Sequence, residues 1–366
     1  MKRVHIVFIY ILWCFIIFEI VCRIFLPGLV ETGKIGTNCD SVWRLRWLAQ
    51  HRKSQIGLVK SFDIFSPSRG WGLCPNISNL NYAHGKTLTF NSQGIRGEKD
   101  YSRDKMPGKI RILIFGDSFT FGEECGDNET YPYYLQSLLP QIEVMNLGIH
   151  GYGHDQMLIY LIEEGLKYKP DIVILGFISS DRERNMLSFR DYAKPKFELI
   201  KGKLCLGNTP VPSIEATLKS EIWKSKFFDY LKIVNAKNSQ RTKSYRRKEQ
   251  DTMMGILNEF VLTVKKANAR PIFIYLTNLR GKEVFDDLEQ NEDAKEFAQY
   301  CQARGVDCIF PQPYVLSAIK EGKKIKLDGH WDATTNYIIA STIKMFLIER
   351  KVITNYQKEK NYYKDK

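Results

Sequence analysis

Three side chains of the types used in nucleophilic catalysis stand at two places in the sequence. Ser118 follows Gly116 and Asp117, and Asp328 and His330 flank a single glycine. A serine becomes a nucleophile when an imidazole accepts its proton and a carboxylate fixes the imidazole tautomer. The three residues predict acyl transfer through a serine ester. Each also has a purely structural interpretation, with Ser118 as a cap and the Asp-Gly-His triplet as a surface turn.

Catalysis by these residues requires Ser118 and His330 to lie at one edge of a sheet. The apolar run Arg111–Phe115, which contains two β-branched residues, predicts a buried strand that ends at Gly116. Ligands of open α/β sheets bind beyond the carboxyl ends of the strands, where Ser118 would stand. Position 120 is threonine, so the segment is not the G-x-S-x-G elbow of α/β-hydrolases.

Strand and helix patterns alternate from residue 109 onward. Predicted helices lie at about 130–139, 155–168, 252–267, 293–303 and 332–349. The predicted strands are Arg111–Phe115, Glu143–Asn146, Asp171–Phe177, Pro271–Leu276 and Asp307–Phe310. Five strands that alternate with helices predict a three-layer α/β fold with a parallel sheet. The loop before the last helix, which carries His330, then reaches the same sheet edge as Ser118.

Four sequence blocks resemble, in order, those of the SGNH (GDSL-type) hydrolases. The blocks are Gly116-Asp-Ser-Phe, Asn146-Leu-Gly-Ile-His-Gly-Tyr-Gly, Gly176-Phe-Ile-Ser-Ser-Asp and Asp328-Gly-His. The resemblance covers about residues 88–350 and extends to Asn91-Ser-Gln-Gly-Ile-Arg-Gly, which is similar to a segment of membrane-anchored bacterial members. It implies a flavodoxin-like sheet, Ser118 as nucleophile, His330 as base and Asp328 as the residue that orients His330.

The resemblance also implies an oxyanion hole made by the serine N–H, a glycine N–H and an asparagine side chain. Gly151 matches the glycine donor, but Ser180 stands at the asparagine position. A serine hydroxyl can donate one hydrogen bond, although it is shorter than an asparagine side chain, and Arg182 or Asn185 could replace it. The Asp-x-His spacing also departs from the Asp-x-x-His of many members.

An apolar run follows two basic residues at the N-terminus. Residues Ile6–Phe18 are apolar without interruption, after Lys2 and Arg3, and Ile6–Cys22 would span roughly 26 Å as a helix. A cleaved signal peptide is the rival interpretation, but no small-residue cleavage site follows the run. The sequence therefore predicts a transmembrane anchor at residues 4–26, with the remainder outside the cytoplasm, on the periplasmic or cell-surface side.

The other predicted segments follow from composition. They are a β-rich lead-in at 27–103, an SGNH hydrolase-like domain at 104–350, a cap-like insertion at 181–250 with a hairpin at 196–206, and a basic tail at 351–366. The chain of 366 residues carries a net charge of +13, part of it in the basic run Arg241–Lys248. This charge is compatible with an anionic surface or with a solvated helix face. No nucleic-acid-binding motif accompanies it, so we expect no nucleic-acid partner.

The remaining histidines and cysteines predict neither a metal nor a cofactor. His150 and His154 flank Gly151, but Asp155 adjoins His154 too closely to be a convincing third ligand. Six of the eight cysteines lie outside the anchor, and their pairing is open.

The predicted function is hydrolysis of an acyl or acetyl ester on an acylated small molecule or saccharide outside the cytoplasm. One alternative is a polysaccharide O-acyltransferase that uses the same Ser118, His330 and Asp328. Another is a non-catalytic carbohydrate-binding relative, which Ser180 at the asparagine position favours. The sequence leaves the acyl group, the acceptor and the oligomeric state open.

Overall fold

The computed structural model describes residues 2–54, 57–82, 85–277 and 291–353. The described residues form two compact units. The anchor unit comprises Met1–Gly72 and Arg182–Gly255, and the sheet unit comprises Leu73–Asp181 and Ile256–Lys366. Most of the predicted basic tail, residues 354–366, lies outside the described residues.

Helices and strands are numbered here in chain order. The α-helices of the described residues are α1 (Lys2–Glu31), α2 (Asp40–Ser54), α3 (Ser118–Phe121), α4 (Tyr131–Leu138), α5 (His154–Glu163), α6 (Asp181–Asn185), α7 (Ile214–Trp223), α8 (Lys226–Ser239), α9 (Lys243–Lys266), α10 (Glu292–Arg304), α11 (Gln312–Lys320) and α12 (Ala333–Glu349). The strands are β1 (Asp63–Ser66), β2 (Gly70–Leu73), β3 (Ile77–Asn81), β4 (Thr87–Phe90), β5 (Arg111–Gly116), β6 (Glu143–Gly148), β7 (Ile172–Phe177), β8 (Phe189–Arg190), β9 (Tyr192–Ala193), β10 (Lys196–Ile200), β11 (Lys203–Gly207), β12 (Arg270–Tyr275) and β13 (Asp307–Ile309).

The sheet unit is built on a five-stranded sheet with the order β13-β12-β7-β5-β6. All neighbouring pairs are parallel, and Ile114 of β5 lies opposite Asn146 of β6 and Ile174 of β7. Renumbered within the sheet, the order is 2-1-3-4-5, which is flavodoxin-like, and the chain reverses its winding between β5 and β7. The predicted three-layer α/β fold with a five-stranded parallel sheet is confirmed.

Alternate residues of the strands face the two helical layers. Ile114 and Ile274 belong to a buried cluster with Leu135 of α4 and Ile343 of α12. On the other face, Phe115 contacts Tyr160 of α5 and Phe260 of α9, and Phe273 contacts Phe297 of α10. Both faces of the central strands are therefore buried, as their continuous apolar runs predict.

The anchor unit contains a buried group of charges that joins three helices. Arg44 of α2 forms ion pairs with Glu221 of α7, at 2.6 Å, and with Asp229 of α8. Lys226 of α8 contacts Glu221 at 2.9 Å. Burial alone would raise the pKa of each carboxyl group, but the bonds from Arg44 and Lys226 lower both pKa values. The group links α2, α7 and α8 in the unit.

Two predicted features also fall in the anchor unit. The hairpin is present as β10 and β11, which pair Phe197 with Leu206 and Ile200 with Lys203 around a Lys-Gly turn. Its predicted role as a cap stays a prediction. In α1, residues Val4–Glu31 form a helix long and apolar enough to cross a membrane, a composition that signal sequences share.

Candidate active site

Ser118 is presented by a very short helix at the end of the central strand. Strand β5 ends at Gly116, and the buried Asp117 caps α3 by accepting a hydrogen bond from the N–H of Phe119 at 3.0 Å. Gly122 closes the turn with φ +81° and donates its N–H to the carbonyl of Ser118. Ser118 is only 7% exposed and lies where the sheet reverses its winding. This is the position that open α/β sheets use for ligands.

Glycines at the ends of three adjacent strands leave room for α3. A Cβ atom on Gly116 or Gly176 would meet the Thr120 hydroxyl oxygen at 1.9 or 2.6 Å, and one on Gly148 would meet the Phe121 nitrogen at 2.3 Å. Thr120 is fully buried. Any larger residue at these strand ends would push α3, and with it Ser118, away from the sheet.

His330 reaches Ser118 from the loop before the last helix. Its Nε2 lies 2.9 Å from Ser118 Oγ. The loop is fixed by Asp332, which caps α12 through the N–H of Thr335 at 2.8 Å and also accepts the N–H of Lys326 at 3.0 Å. The next residue, Trp331, is buried, so the imidazole is held beside a rigid element. A nucleophile and a base at hydrogen-bond distance are what serine catalysis requires.

The carboxylate that faces the other nitrogen of His330 belongs to Glu124. Glu124 Oε1 lies 3.7 Å from His330 Nδ1, which is longer than a hydrogen bond but within range of charge attraction. A carboxylate at Nδ1 favours the tautomer with its proton there, which leaves Nε2 to accept the proton of Ser118. Gly329, with φ +76°, lies next to the Glu124 carboxylate. A Cβ atom at this position would stand 3.7 Å from both carboxylate oxygens.

Lys326 keeps Glu124 ionised. The ammonium group of Lys326 donates a hydrogen bond to Glu124 Oε2. Burial alone would raise the pKa of Glu124, but the hydrogen bond and charge of Lys326, and then the nearby His330, lower it below its usual range. The same pairing raises the pKa of Lys326. Glu124 is therefore an anion at neutral pH, as stabilisation of an imidazolium requires.

The loop that carries Glu124 is held by a buried arginine of the Asn91–Gly97 segment. Arg96 donates to the carbonyls of Phe121, Gly122 and Cys125, the last two at 2.8 and 2.6 Å, and its guanidinium lies 4.7 Å from the centre of the Phe121 ring. Three carbonyls satisfied by one planar group fix the path of the loop on both sides of Glu124. The segment whose sequence resembles membrane-anchored members thus acts here as a support for the candidate site.

Cys125 ties the same loop to the loop of His330. Its thiol donates to the carbonyl of Trp331 at 3.1 Å, and its sulfur accepts from the side chain of Asn336 at 3.3 Å. Burial raises the pKa of this thiol to about 11. Cys125 is therefore a neutral packing residue that sets the spacing of the two loops.

The other predicted site residues Gly151, Ser180 and Asp328 lie in loops of the sheet unit. Gly151, with φ +73°, lies in the turn directly after β6, the neighbour of β5. Ser180 is exposed and follows β7. Asp328 is exposed, and among the described residues the carboxylate that lies against His330 belongs to Glu124. Arg182 and Asn185 lie in α6, within the anchor unit. The assignments of Asp328, Gly151 and Ser180 stay predictions.

Two histidines near the site are packed into the sheet unit. His150 is 2% exposed and meets the ring of Phe121 edge to face, and His154 is 1% exposed and stacks on Phe177. Across the described ranges, no group of three or more His, Cys, Asp or Glu side chains is arranged to hold a metal ion. Both histidines act as core aromatic groups in this arrangement.

Glu124, Lys326 and Arg96 are the candidate residues that the sequence analysis did not identify. Glu124 is in Gly122-Glu-Glu-Cys-Gly126, a short acidic turn between two glycines and six residues after Ser118. An acidic residue in a turn that directly follows a candidate nucleophile was the available signal. The direction of the Glu124 side chain also depends on a backbone φ of +68°, and the sequence gives no sign of this angle.

No family model matches the sequence, and the comparison with curated proteins found no match. Similar solved structures include a lipolytic protein of the G-D-S-L family from Veillonella parvula (12% identity, TM-score 0.38, 64% of this chain and 95% of that one). Others are a GDSL-like lipase from Bacteroides thetaiotaomicron (14%, 0.38, 67% and 91%) and a catalytic mutant of an acetylxylan esterase from Geobacillus stearothermophilus (15%, 0.39, 67% and 96%).

Proposed function

We propose that this chain is a serine-dependent ester hydrolase with Ser118 as its nucleophile. The observation that carries the proposal is the distance of 2.9 Å between Ser118 Oγ and His330 Nε2, with a carboxylate facing the opposite ring nitrogen. The Ser118 oxygen attacks the ester carbonyl while His330 Nε2 accepts its proton. The imidazolium then gives the proton to the leaving alkoxide, and an acyl-serine remains.

Hydrolysis of the acyl-serine repeats the proton transfers with water. His330 takes a proton from the water that attacks the acyl carbon, and it returns that proton to Ser118 as the serine ester breaks. Glu124 stabilises the imidazolium in both halves, because it faces Nδ1 as an anion. The N–H groups of Ser118 and Gly151 and the hydroxyl of Ser180 are the proposed donors to the oxyanion. Such a donor contributes roughly 3–4 kcal/mol to the transition state.

The proposed substrate is an acylated saccharide, and acetyl is the proposed acyl group. The resemblance of the four sequence blocks to SGNH hydrolases supports an ester. The apolar helix α1 supports a position at a membrane, and the basic residues before it support a catalytic unit outside the cytoplasm, where envelope polysaccharides occur. Transfer of the acyl group to a sugar hydroxyl by the same Ser118 and His330 is the second candidate, since only the acceptor differs.

The test is release of acetate from a small acetyl ester and from acetylated xylan by the full chain in detergent. We expect Ser118→Ala to lower the rate by at least about 10³-fold. Ser137→Ala, at an exposed serine of α4, is the matched control and should leave the rate unchanged. A fluorophosphonate probe should label the unchanged chain and not Ser118→Ala.

Each result leads to a different conclusion. Labelling without acetate release, together with acetyl transfer to an added oligosaccharide, would favour the acyltransferase. The absence of both labelling and turnover would reject the serine mechanism. It would favour a carbohydrate-binding protein, for which Ser180 in place of asparagine already argues.

A further inference from the structure

Apolar side chains are exposed along one short segment of the anchor unit, at the end of α7 and the first turns of α8. Trp223 is 87% exposed, Ile222 66% and Phe228 53%. Leu231 and Val234 continue the exposed row one and two turns further along α8. Soluble surfaces rarely carry contiguous apolar patches of this kind unless a partner covers them. We call Ile222–Val234 the apolar segment.

The apolar segment packs against the candidate membrane helix α1. The ring of Phe227 lies 5.7 Å from those of Phe15 and Phe18, and the ring of Phe228 lies 5.8 Å from Phe15. Arg23 also donates to the carbonyl of Lys224 at 3.3 Å. The turn between α7 and α8 is thereby fixed beside residues 15–23 of α1, at the end of its uninterrupted apolar run.

Glu19 sets this position. Its carboxylate accepts hydrogen bonds from the Ser225 hydroxyl at 2.6 Å and from the N–H groups of Lys226 and Phe227 at 3.1 and 2.9 Å. Arg23 pairs with it at 2.7 Å. A carboxylate in an apolar helix is costly unless it is paired, and a helix N-terminus is a favourable partner for an anion. The start of α8 therefore belongs beside α1 where α1 is still apolar.

We propose that the apolar segment Ile222–Val234 lies in the lipid bilayer interface beside α1, with Trp223 at the boundary between acyl chains and headgroups. The exposed Phe228 contacts Phe15 of α1, and the other residues of the apolar run Ile6–Phe18 are exposed. Tryptophan favours this boundary because its ring is apolar and its N–H can bond to headgroups or water. Lys232, within the segment, and Lys237, one turn beyond it, are exposed on α8, and anionic headgroups would attract them.

The test uses the full chain in bilayer nanodiscs of phosphatidylcholine and phosphatidylglycerol. The six tryptophans are labelled with 5-fluorotryptophan, and the ¹⁹F signal of Trp223 is assigned with Trp223→Phe. Nitroxide-bearing lipids and a water-soluble gadolinium chelate are then added in separate samples. Trp13, 60% exposed on α1, is the positive control for lipid, and the buried Trp71 and Trp331 are the negative controls.

We expect lipid nitroxide to broaden the signals of Trp13 and Trp223 and to spare those of Trp71 and Trp331. Broadening of Trp223 by gadolinium alone would overturn the proposal, because it would place the segment in water. Protection of Trp223 from both agents would also overturn it, in favour of a protein partner or a second copy. If the lipid nitroxide did not broaden the signal of Trp13, α1 would not cross the bilayer, and the proposal would be overturned with it. None of these outcomes depends on esterase activity.

Discussion

The carboxylate that stabilises His330 as the base for Ser118 is the one that faces its Nδ1 atom. Glu124 lies 3.7 Å from that nitrogen and is held by Lys326, whereas Asp328 is exposed. We expect Glu124→Gln to lower kcat for ester hydrolysis roughly 10²- to 10⁴-fold, since the amide can stabilise neither the tautomer nor the imidazolium. Asp328→Asn is the matched variant and should change the rate by no more than about twofold.

Steady-state kinetics of the two variants separate the two assignments. A large loss in Asp328→Asn with little change in Glu124→Gln would restore Asp328 as the orienting residue, as the family resemblance implies. Equal losses would mean that both carboxylates act on His330. Fluorophosphonate labelling of each variant shows whether the defect lies in activation of Ser118.

The ion pair of Glu124 should also contribute to stability in a pH-dependent way. The folded protein holds the pKa of Glu124 below its ordinary value of 4.5, so the contribution is fully present above that value and is lost as pH falls through the lower folded pKa. The side chains of Glu124 and Lys326 are partly exposed, and the pair is worth about 1 kcal/mol or less.

Urea unfolding of the unchanged chain and of Glu124→Gln at several pH values measures this contribution. The difference in unfolding free energy between them should be constant near neutral pH and shrink below about pH 4.5. A difference that grows on acidification would contradict an anionic Glu124 in the folded state.

At this scale the sequence predicted that Ser118 and His330 lie together, but it did not predict which acid faces His330. Ser118 and His330 stand in short motifs whose residue types state their chemistry. Glu124 reaches His330 only because its φ is +68° and because Arg96, from a distant segment, holds its loop. Proximity in sequence favoured Asp328, yet a residue two positions from His330 on a tight turn can point into solvent.

At the scale of elements, the close packing of α3 on the strand ends gives the next prediction. In Gly148→Ala the new Cβ would stand 2.3 Å from the backbone nitrogen of Phe121, which cannot move away as a flexible side chain would. We expect a loss of about 1–3 kcal/mol in unfolding free energy and a fall in kcat, since α3 carries Ser118.

Gly207→Ala in β11 is the control, because its Cβ would meet its nearest neighbour, the Lys196 carbonyl, at an ordinary 3.7 Å. It should stabilise slightly or leave stability unchanged, by up to about 1 kcal/mol. Thermal unfolding of both variants in detergent, followed by circular dichroism, makes the comparison. Equal melting temperatures would show that α3 can shift without cost.

The elements themselves were largely predictable. All five predicted strands of the main sheet are present within one or two residues, because buried parallel strands have continuous apolar runs bounded by turns. Five helices of the described residues were not predicted: the short α3 and α6, and the longer α7, α8 and α11. Helices α7 and α8 expose apolar residues that blur the amphipathic pattern, and Glu221 and Asp229 are buried in ion pairs with Arg44 of α2. Such pairing between distant segments is invisible to local periodicity.

At the scale of the whole molecule, the boundaries of the two compact units differ from the boundaries of the segments that composition predicts. The predicted lead-in at 27–103 is split between the two units, and the predicted insertion at 181–250 folds with α1 and α2. Composition marks where the βα alternation is interrupted, but not which distant segment packs with the interruption. The contacts of Glu19 with α8 and of Arg44 with α7 and α8 supply that information.

The same contacts predict how the chain responds to loss of its first helix. Removal of residues 1–27 takes away Phe15 and Phe18, which cover Phe227, and takes away Glu19, which caps the start of α8. The newly exposed Phe227 would join the apolar row that includes Phe228. We expect the shortened chain to self-associate, since contiguous exposed apolar surface drives association in water.

Light scattering after size-exclusion chromatography tests this expectation, with Phe227→Gln and Phe228→Gln combined in the shortened chain. The double substitution should restore a single monomeric species, whereas Leu262→Gln, at a 49% exposed leucine of the sheet unit, should not. A shortened chain that is monomeric without these substitutions would mean that α1 shields no apolar surface of α8. Self-association relieved only at Phe227 and Phe228 would instead identify α1 as a packed part of its unit, because a helix that merely tethers can be removed without consequence for the surface it leaves.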